Sequence, residues 1–328
     1  MKTVKLTFPP EHWQIEKYLP DNSFCWGDYK FILNQDIKEC DYWIVFGNLI
    51  QEKEKTIIKP ANVIFITSES ADIVEYPAEF LNQFHTVSSF RKDMKHDNVI
   101  NTVPVIPWFV KKNFDELKAL KQIPKTKKIS LLASDKKISV NHIKRLNFVK
   151  KIHKYFGSEI DIYGAGLTDQ VFDKTPTHDP YMFTIVLETI SVPEYFSEKL
   201  GDSYLSLCFT IYYGCSNIST YFDPKSFELI DINDFDRSVK TIKNVLDSEK
   251  LYESRLEKLV EAKNKYLDEY SLFPVMVDIL NKIAVINDNA IVTQKEQIII
   301  RKFEQKKDLK YIIKRANTLA YNLIASTK

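Results

Sequence analysis

The chain has 328 residues, 44% hydrophobic and 27% charged, a balance that excludes disorder and at this length predicts two packed domains. Its 46 Lys and Arg face 44 Asp and Glu, a formal charge of +2, so no global field recruits nucleic acid. The 7 glycines spell neither GxGxxG nor GxxxxGK[ST], the cysteines (Cys25, Cys40, Cys208, Cys215) show no CxxC, and the 6 histidines no HExxH, so dinucleotide, P-loop, zinc and dithiol sites are not signalled. With no leader-like stretch and no long apolar run, the chain is expected to be cytoplasmic, its thiols buried and reduced.

In chain order, residues 41–46 (DYWIVF) and 62–67 (NVIFIT) are predicted strands buried on both faces, and 78–84 a short helix. This block ends near Pro104 and Pro107, and the lysine-rich stretch 111–128 with Pro124 reads as a linker. A second block opens with a strand at 128–133 (KISLLA) and a helix over 142–156, where Ile143, Leu146, Val149 and Ile152 recur on one stripe. Strands follow at 159–163, 183–187 and 207–213. A helix is expected over 193–205, its start marked by the Ser191 and Glu194 capping box with Pro193 in the first turn. One more strand at 227–232 leads into helices at 234–246 and 252–283. From 295 to 328, 9 Lys or Arg against 3 acidic residues, with Ile298, Ile299, Phe303, Leu309, Ile312, Ile313 and Leu319, predict a basic amphipathic helix. That helix either packs on the body or docks on membrane lipid. The expected organisation is an N-terminal domain over 1–115, a C-terminal domain over 125–285 and the basic helix over 286–328.

In open α/β sheets ligands bind beyond the carboxyl ends of the strands, so the residues that follow each strand are the candidates. These are Ser68, Glu69 and Ser70 after NVIFIT; Gly164, Ala165 and Gly166 after EIDIY; and Glu188 and Thr189 after FTIVL. Carboxylates there can accept a proton or sugar hydroxyls, or simply cap the next helix. Tyr195, Glu198 and Lys199 would share one helical face. A cation as near a helix start as Lys199, or as Arg145 in the preceding helix, opposes the macrodipole unless an anion such as a phosphate lies near; a surface ion pair with Glu194 or Glu198 is the simpler account for Lys199. Asp234-Phe235-Asp236 spells DxD, but its place at a helix start favours capping over metal binding. His178-Asp179, His85 and His96 read as solvated turns.

An ordered series of motifs ties these residues together. YMFTIVLETISVPEYFSEKL resembles the YKFxxxFENS and DYxTEKL of the family 10 α-1,3-fucosyltransferases. Gly214, DPKSF (223–227), Asp231 and Phe235 fall where that family carries its strand glycine, PPxSF and acidic-aromatic close. Arg145 in NHIKRLNFV resembles its SNxxxRxxFV region, and Tyr163 to Gly166 its YGxG. FITSES with Glu69 resembles its ESP-type loop, and FHTVSSFRKD with Arg91 and Asp93 its YRxDS region, so the resemblance spans about residues 60–235.

The resemblance implies a GT-B fold, two Rossmann-like domains with parallel sheets facing a central cleft. It implies an inverting transferase with GDP-fucose as donor, no required cofactor or metal, and an oligosaccharide or lipid-linked glycan as acceptor. Glu69 would be the general base, Arg145 and Lys199 would neutralise the diphosphate, and Glu198 would hold ribose hydroxyls. Tyr195 would sit by guanine or ribose, Glu188 would contact the transferred sugar, and Gly164 would let backbone approach the donor. The basic C-terminal segment suggests attachment at the inner face of the cell membrane. Thr189 and Leu187 replace the family's Asn and Phe, and LSLCFTIYYG lacks its Ala-Gly-x-x-Pro. Another nucleotide sugar on the same fold is therefore the first alternative, and a non-catalytic scaffold the second.

Overall fold

The computed structural model describes residues 1–9, 14–71, 73–168, 173–248, 250–287 and 293–300. The chain forms two compact units. Unit 1 holds Met1–Ile106, Asn113–Asp115 and the described chain from Glu269 onward; unit 2 holds Pro107–Lys112 and Glu116–Asp268.

Unit 1 contains strands β1 (Lys2–Thr7), β2 (Cys25–Trp26), β3 (Tyr29–Leu33), β4 (Tyr42–Phe46), β5 (Lys53–Ile58), β6 (Val63–Ile66), β7 (Thr86–Ser89) and β8 (Val99–Asn101), with a one-turn helix α1 (Ala78–Leu81). Seven of these form one sheet in the order β2-β3-β1-β4-β6-β7-β8, parallel except for the β2–β3 pair. YWIVF and VIFI are buried along their whole length, as centre strands of a parallel sheet must be. On one face Phe65 collects Tyr76, Phe80 and Phe84 at ring-centroid distances of 5.0, 5.2 and 5.0 Å.

After helix α2 (Phe114–Ala119), unit 2 alternates β9 (Lys127–Ala133), α3 (Val140–Phe156), β10 (Asp161–Gly164), α4 (Thr175–His178), β11 (Tyr181–Leu187), α5 (Glu198–Leu205), β12 (Phe209–Tyr213), β13 (Phe227–Leu229), α6 (Phe235–Asp247) and α7 (Leu251–Lys265). Its five strands are all parallel in the order β10-β9-β11-β12-β13. The order reverses between β9 and β11, so the carboxyl ends of these two neighbours form the topological switch point where this class of sheet binds ligands.

Three expectations need correction. The C-terminal domain limit of 125–285 does not hold, because helix α8 (Leu272–Asn287) belongs to unit 1. There its Phe273 stacks edge-on against Phe31 at 4.8 Å, and Asn281 accepts from Tyr29 Oη at 2.8 Å. The basic helix expected over 286–328 is broken by strand β14 (Lys295–Ile300), which pairs antiparallel with β5; residues 301–328 lie outside the described residues. Ile299 is 1% exposed while Ile298 and Ile300 are 45% and 47% exposed, the period-two burial of a strand with one face on a core. Finally, the linker over 111–128 contains helix α2.

All four cysteines are free thiols, three of them buried. Among the described residues no helix is long and apolar enough to cross a membrane.

Candidate functional site

Arg145 spans the switch point of unit 2. Ser139 caps α3, accepting from the His142 amide, so Arg145 falls in the second turn, on the stripe buried with Ile143, Leu146, Val149 and Ile152. Its Nη2 donates to Ser134 Oγ, just past β9, at 2.9 Å, and its Nη1 to Thr189 Oγ1, just past β11, at 3.1 Å. The residue is 2% exposed and its Nε, also buried, has no hydrogen-bond partner. A buried cation bonded only to neutral hydroxyls, with one donor idle, is costly unless an anion completes it.

Glu188 follows β11 and is fully buried. Oε1 accepts from Ser197 N at 2.7 Å, while the Ser197 hydroxyl lies 2.9 and 2.8 Å from the two carboxylate oxygens and Lys199 Nζ is 3.1 Å from Oε2. This grip decides where α5 begins. Ser197 is its N-cap, and Glu194, expected inside the first turn, has a left-handed φ of +66° with its amide on Asn217 Oδ1. Tyr195 therefore lies in the loop before the helix and not on a helical face with Glu198 and Lys199. The anion that Lys199 needs in the first turn is the Glu188 side chain.

Glu198 and Asp202, one turn apart on α5, share Lys174: its Nζ lies 3.2 Å from Glu198 Oε1 and 2.8 Å from Asp202 Oδ2. Lys199 Nζ stands 3.8 Å from the same Glu198 Oε1. Burial pushes the Glu198 carboxyl up, but Lys199 and Lys174 outweigh it and hold it down at about 2. Burial dominates at Asp202, whose carboxyl is raised despite Lys174. Lys174 and Lys199 thus pair with Glu188, Glu198 and Asp202, and the Arg145 charge is felt by Glu188 and Glu198, three cations to three carboxylates. A fold seeking stability alone would place apolar residues there.

Gly164 ends β10 with φ +68°, and a Cβ there would stand 2.3 Å from the Ala133 carbonyl oxygen. The close approach that requires glycine is thus made by β9 itself. His178, expected in a solvated turn, is buried, its Nδ1 2.8 Å from Thr177 Oγ1. Burial, helped by Lys174, pulls its imidazole down to about 3, so it stays neutral at ordinary pH. It lines a water-sized cavity with Lys174 and Lys199. Asp234 caps α6 by accepting from the Arg237 amide, as its position suggested. Among the described residues no group of three or more His, Cys, Asp or Glu side chains could hold a metal ion.

Glu69 stands in unit 1, exposed, in the loop after β6. The loop is braced beneath it: Tyr76 Oη lies 3.1 Å from Ser68 N and 3.2 Å from Ser68 Oγ. Arg91 rides 5.7 Å from the Tyr76 ring, donates to Val74 O at 2.8 Å and makes a two-pronged pair with Asp93 at 3.0 and 2.8 Å. No motif in the sequence marks Lys174, Asp202, Ser197 or Ser134. Only Asp202 carried a signal, its spacing of one turn from Glu198.

Residues 123–267 match the family model described as glycosyltransferase family 10 (fucosyltransferase), C-terminal. No curated protein matches the chain. A solved α1,3-fucosyltransferase is 18% identical with a TM-score of 0.50, over 78% of this chain and 80% of its own, a likeness of fold. An α1,3-fucosyltransferase with GDP-fucose (17% identity, TM-score 0.48, 81% and 90% covered) is also similar. So is an α-glucosyltransferase in complex with UDP-glucose and DNA (8%, 0.47, 75% and 80%). Two units on parallel sheets, with that likeness, give the GT-B fold.

Proposed function

We propose that this chain, whose residues 123–267 match the family 10 glycosyltransferase model, is a member of that family and moves fucose from GDP-fucose to a glycan hydroxyl with inversion at the anomeric carbon. The carrying observation is Arg145: a buried guanidinium at the switch point with Nε unpartnered, a fork that a diphosphate oxygen completes. Lys199 supplies the second cation for the diphosphate. Glu198 accepts from ribose hydroxyls, Tyr195 lies by guanine or ribose, and Gly164 lines the donor's approach. Glu188, expected to touch the transferred sugar, is sealed against Ser197 and Lys199, and in this reading serves by holding Lys199 in place.

Glu69 is the general base. It takes the proton of the acceptor hydroxyl as that oxygen bonds to the anomeric carbon, and the bond to GDP breaks on the opposite face through an oxocarbenium-like transition state. Charge growing on the leaving diphosphate is met by Arg145 and Lys199, so the reaction is read as independent of metal and of any cofactor. The acceptor is an oligosaccharide or lipid-linked glycan, met at the cytoplasmic membrane face through the basic C-terminal segment. Glu69→Gln tests the mechanism: transfer slows about 10²–10⁴-fold while GDP affinity holds. An unchanged rate removes Glu69 from the reaction. Rates are expected to persist in EDTA; a loss that Mg²⁺ or Mn²⁺ restores would contradict the metal-free reading.

A further inference from the structure

Lys174 stands outside every role assigned above, yet it joins most of the polar cluster. Its Nζ donates to Asp202 and Glu198, and it lies 4.6 Å over the Phe109 ring. Asp202 is fully buried, and its second oxygen accepts from the Phe109 amide at 2.7 Å and the Val110 amide at 3.3 Å. A carboxylate bonded on both oxygens in a sealed site cannot swing, and the ammonium tied to it and to a ring is fixed in turn. Both lysines meet Glu198 at the same oxygen, Oε1.

We propose that Lys174 is a positioning residue of the donor site: anchored by Asp202 and Phe109, it fixes Glu198 Oε1 and thereby aims the carboxylate at the donor's ribose hydroxyls. The proposal rests on the reading of Glu198 as the ribose ligand. The charged and titratable groups around Glu198 are Lys174, Lys199, Asp202, Glu188, Arg145 and Tyr195, with His178 beside Lys174. Of these, Lys199 and Lys174 hold the Glu198 carboxyl low against burial. With Lys174 gone the carboxyl loses one of the two lysines that oppose burial, and it moves up.

The test is GDP-fucose affinity by calorimetry at about pH 7.5 and about pH 5.5, since a phosphodiester lacks the proton that a terminal phosphate gains near pH ~6. Lys174→Met is paired with Asp202→Asn so that the fully buried Asp202 is not left charged without its cation. The wild type is expected to hold its Kd within about twofold between the two pH values, and the double variant to bind about tenfold more weakly at the upper one. The loss is expected at both pH values, while Lys174→Arg, which keeps the cation, should bind within about twofold of the wild type. Glu198→Gln should bind weakly at both. Wild-type affinity in the double variant, or a Lys174→Arg variant as weak as the double one, overturns the positioning role while a weak Glu198→Gln leaves the ribose contact standing. Wild-type affinity in Glu198→Gln overturns that contact, and the proposal with it.

Discussion

A Cβ on Gly164 would stand 2.3 Å from the Ala133 carbonyl oxygen, and backbone cannot give way there as a side-chain tip could. Left-handed φ adds a second penalty. Gly164→Ala is therefore expected to lose about 2–3 kcal/mol in urea unfolding, a cost independent of any nucleotide. At this scale Arg145, Glu188, Glu198 and Lys199 were legible, because charged residues at strand ends and helix starts break the ordinary pattern. Their partners were harder to read. Lys174 meets Glu198 and Asp202 across 24 and 28 positions, and no periodicity links residues that far apart. The phosphate inferred for Lys199 was, in the structure, first of all Glu188.

Among the elements, runs such as KISLLA and YMFTIVL declared themselves because strands buried on both faces are apolar throughout. Strands β1 and β5 did not, since each carries a buried charge. Lys5 lies 4.6 Å over Trp43 and 3.7 Å from Glu54, which also accepts from Thr7 Oγ1 at 2.8 Å. The start of α5 was misread because a capping box was available at Ser191, while the Glu188 carboxylate selects Ser197. Strand β14 was hidden in a segment whose lysines suggested a helix, although its isoleucines alternate. Ile299 enters the unit 1 core beside Phe65 and Phe84, so Ile299→Ala is expected to destabilise by about 2–4 kcal/mol, read as a lower urea midpoint. A neutral result would detach β14 from that core.

For the whole molecule, charge is nearly balanced, and in unit 2 Lys174 and Lys199 meet Glu188, Glu198 and Asp202 in one largely buried cluster. Glu198 makes that cluster sensitive to acid. Its folded-state value of about 2 lies below the ordinary 4.5, so its stabilising contribution is present above pH 4.5 and fades as pH falls toward 2. Asp202, raised by burial, runs the other way. Glu198→Gln should therefore flatten the acid limb of the stability curve relative to wild type; an identical slope would show that the two lysines do not hold Glu198 down. The central claim, a GDP-sugar site at the unit 2 switch point with fucose as the sugar, is tested most directly by thermal shift against GDP, UDP, CDP, GDP-fucose, GDP-mannose and UDP-glucose. A ligand at about 100 Kd that binds only the native state adds about 2.7 kcal/mol. The account predicts stabilisation by GDP and most of all by GDP-fucose; a preference for UDP or UDP-glucose, or no shift with any nucleotide, would contradict it.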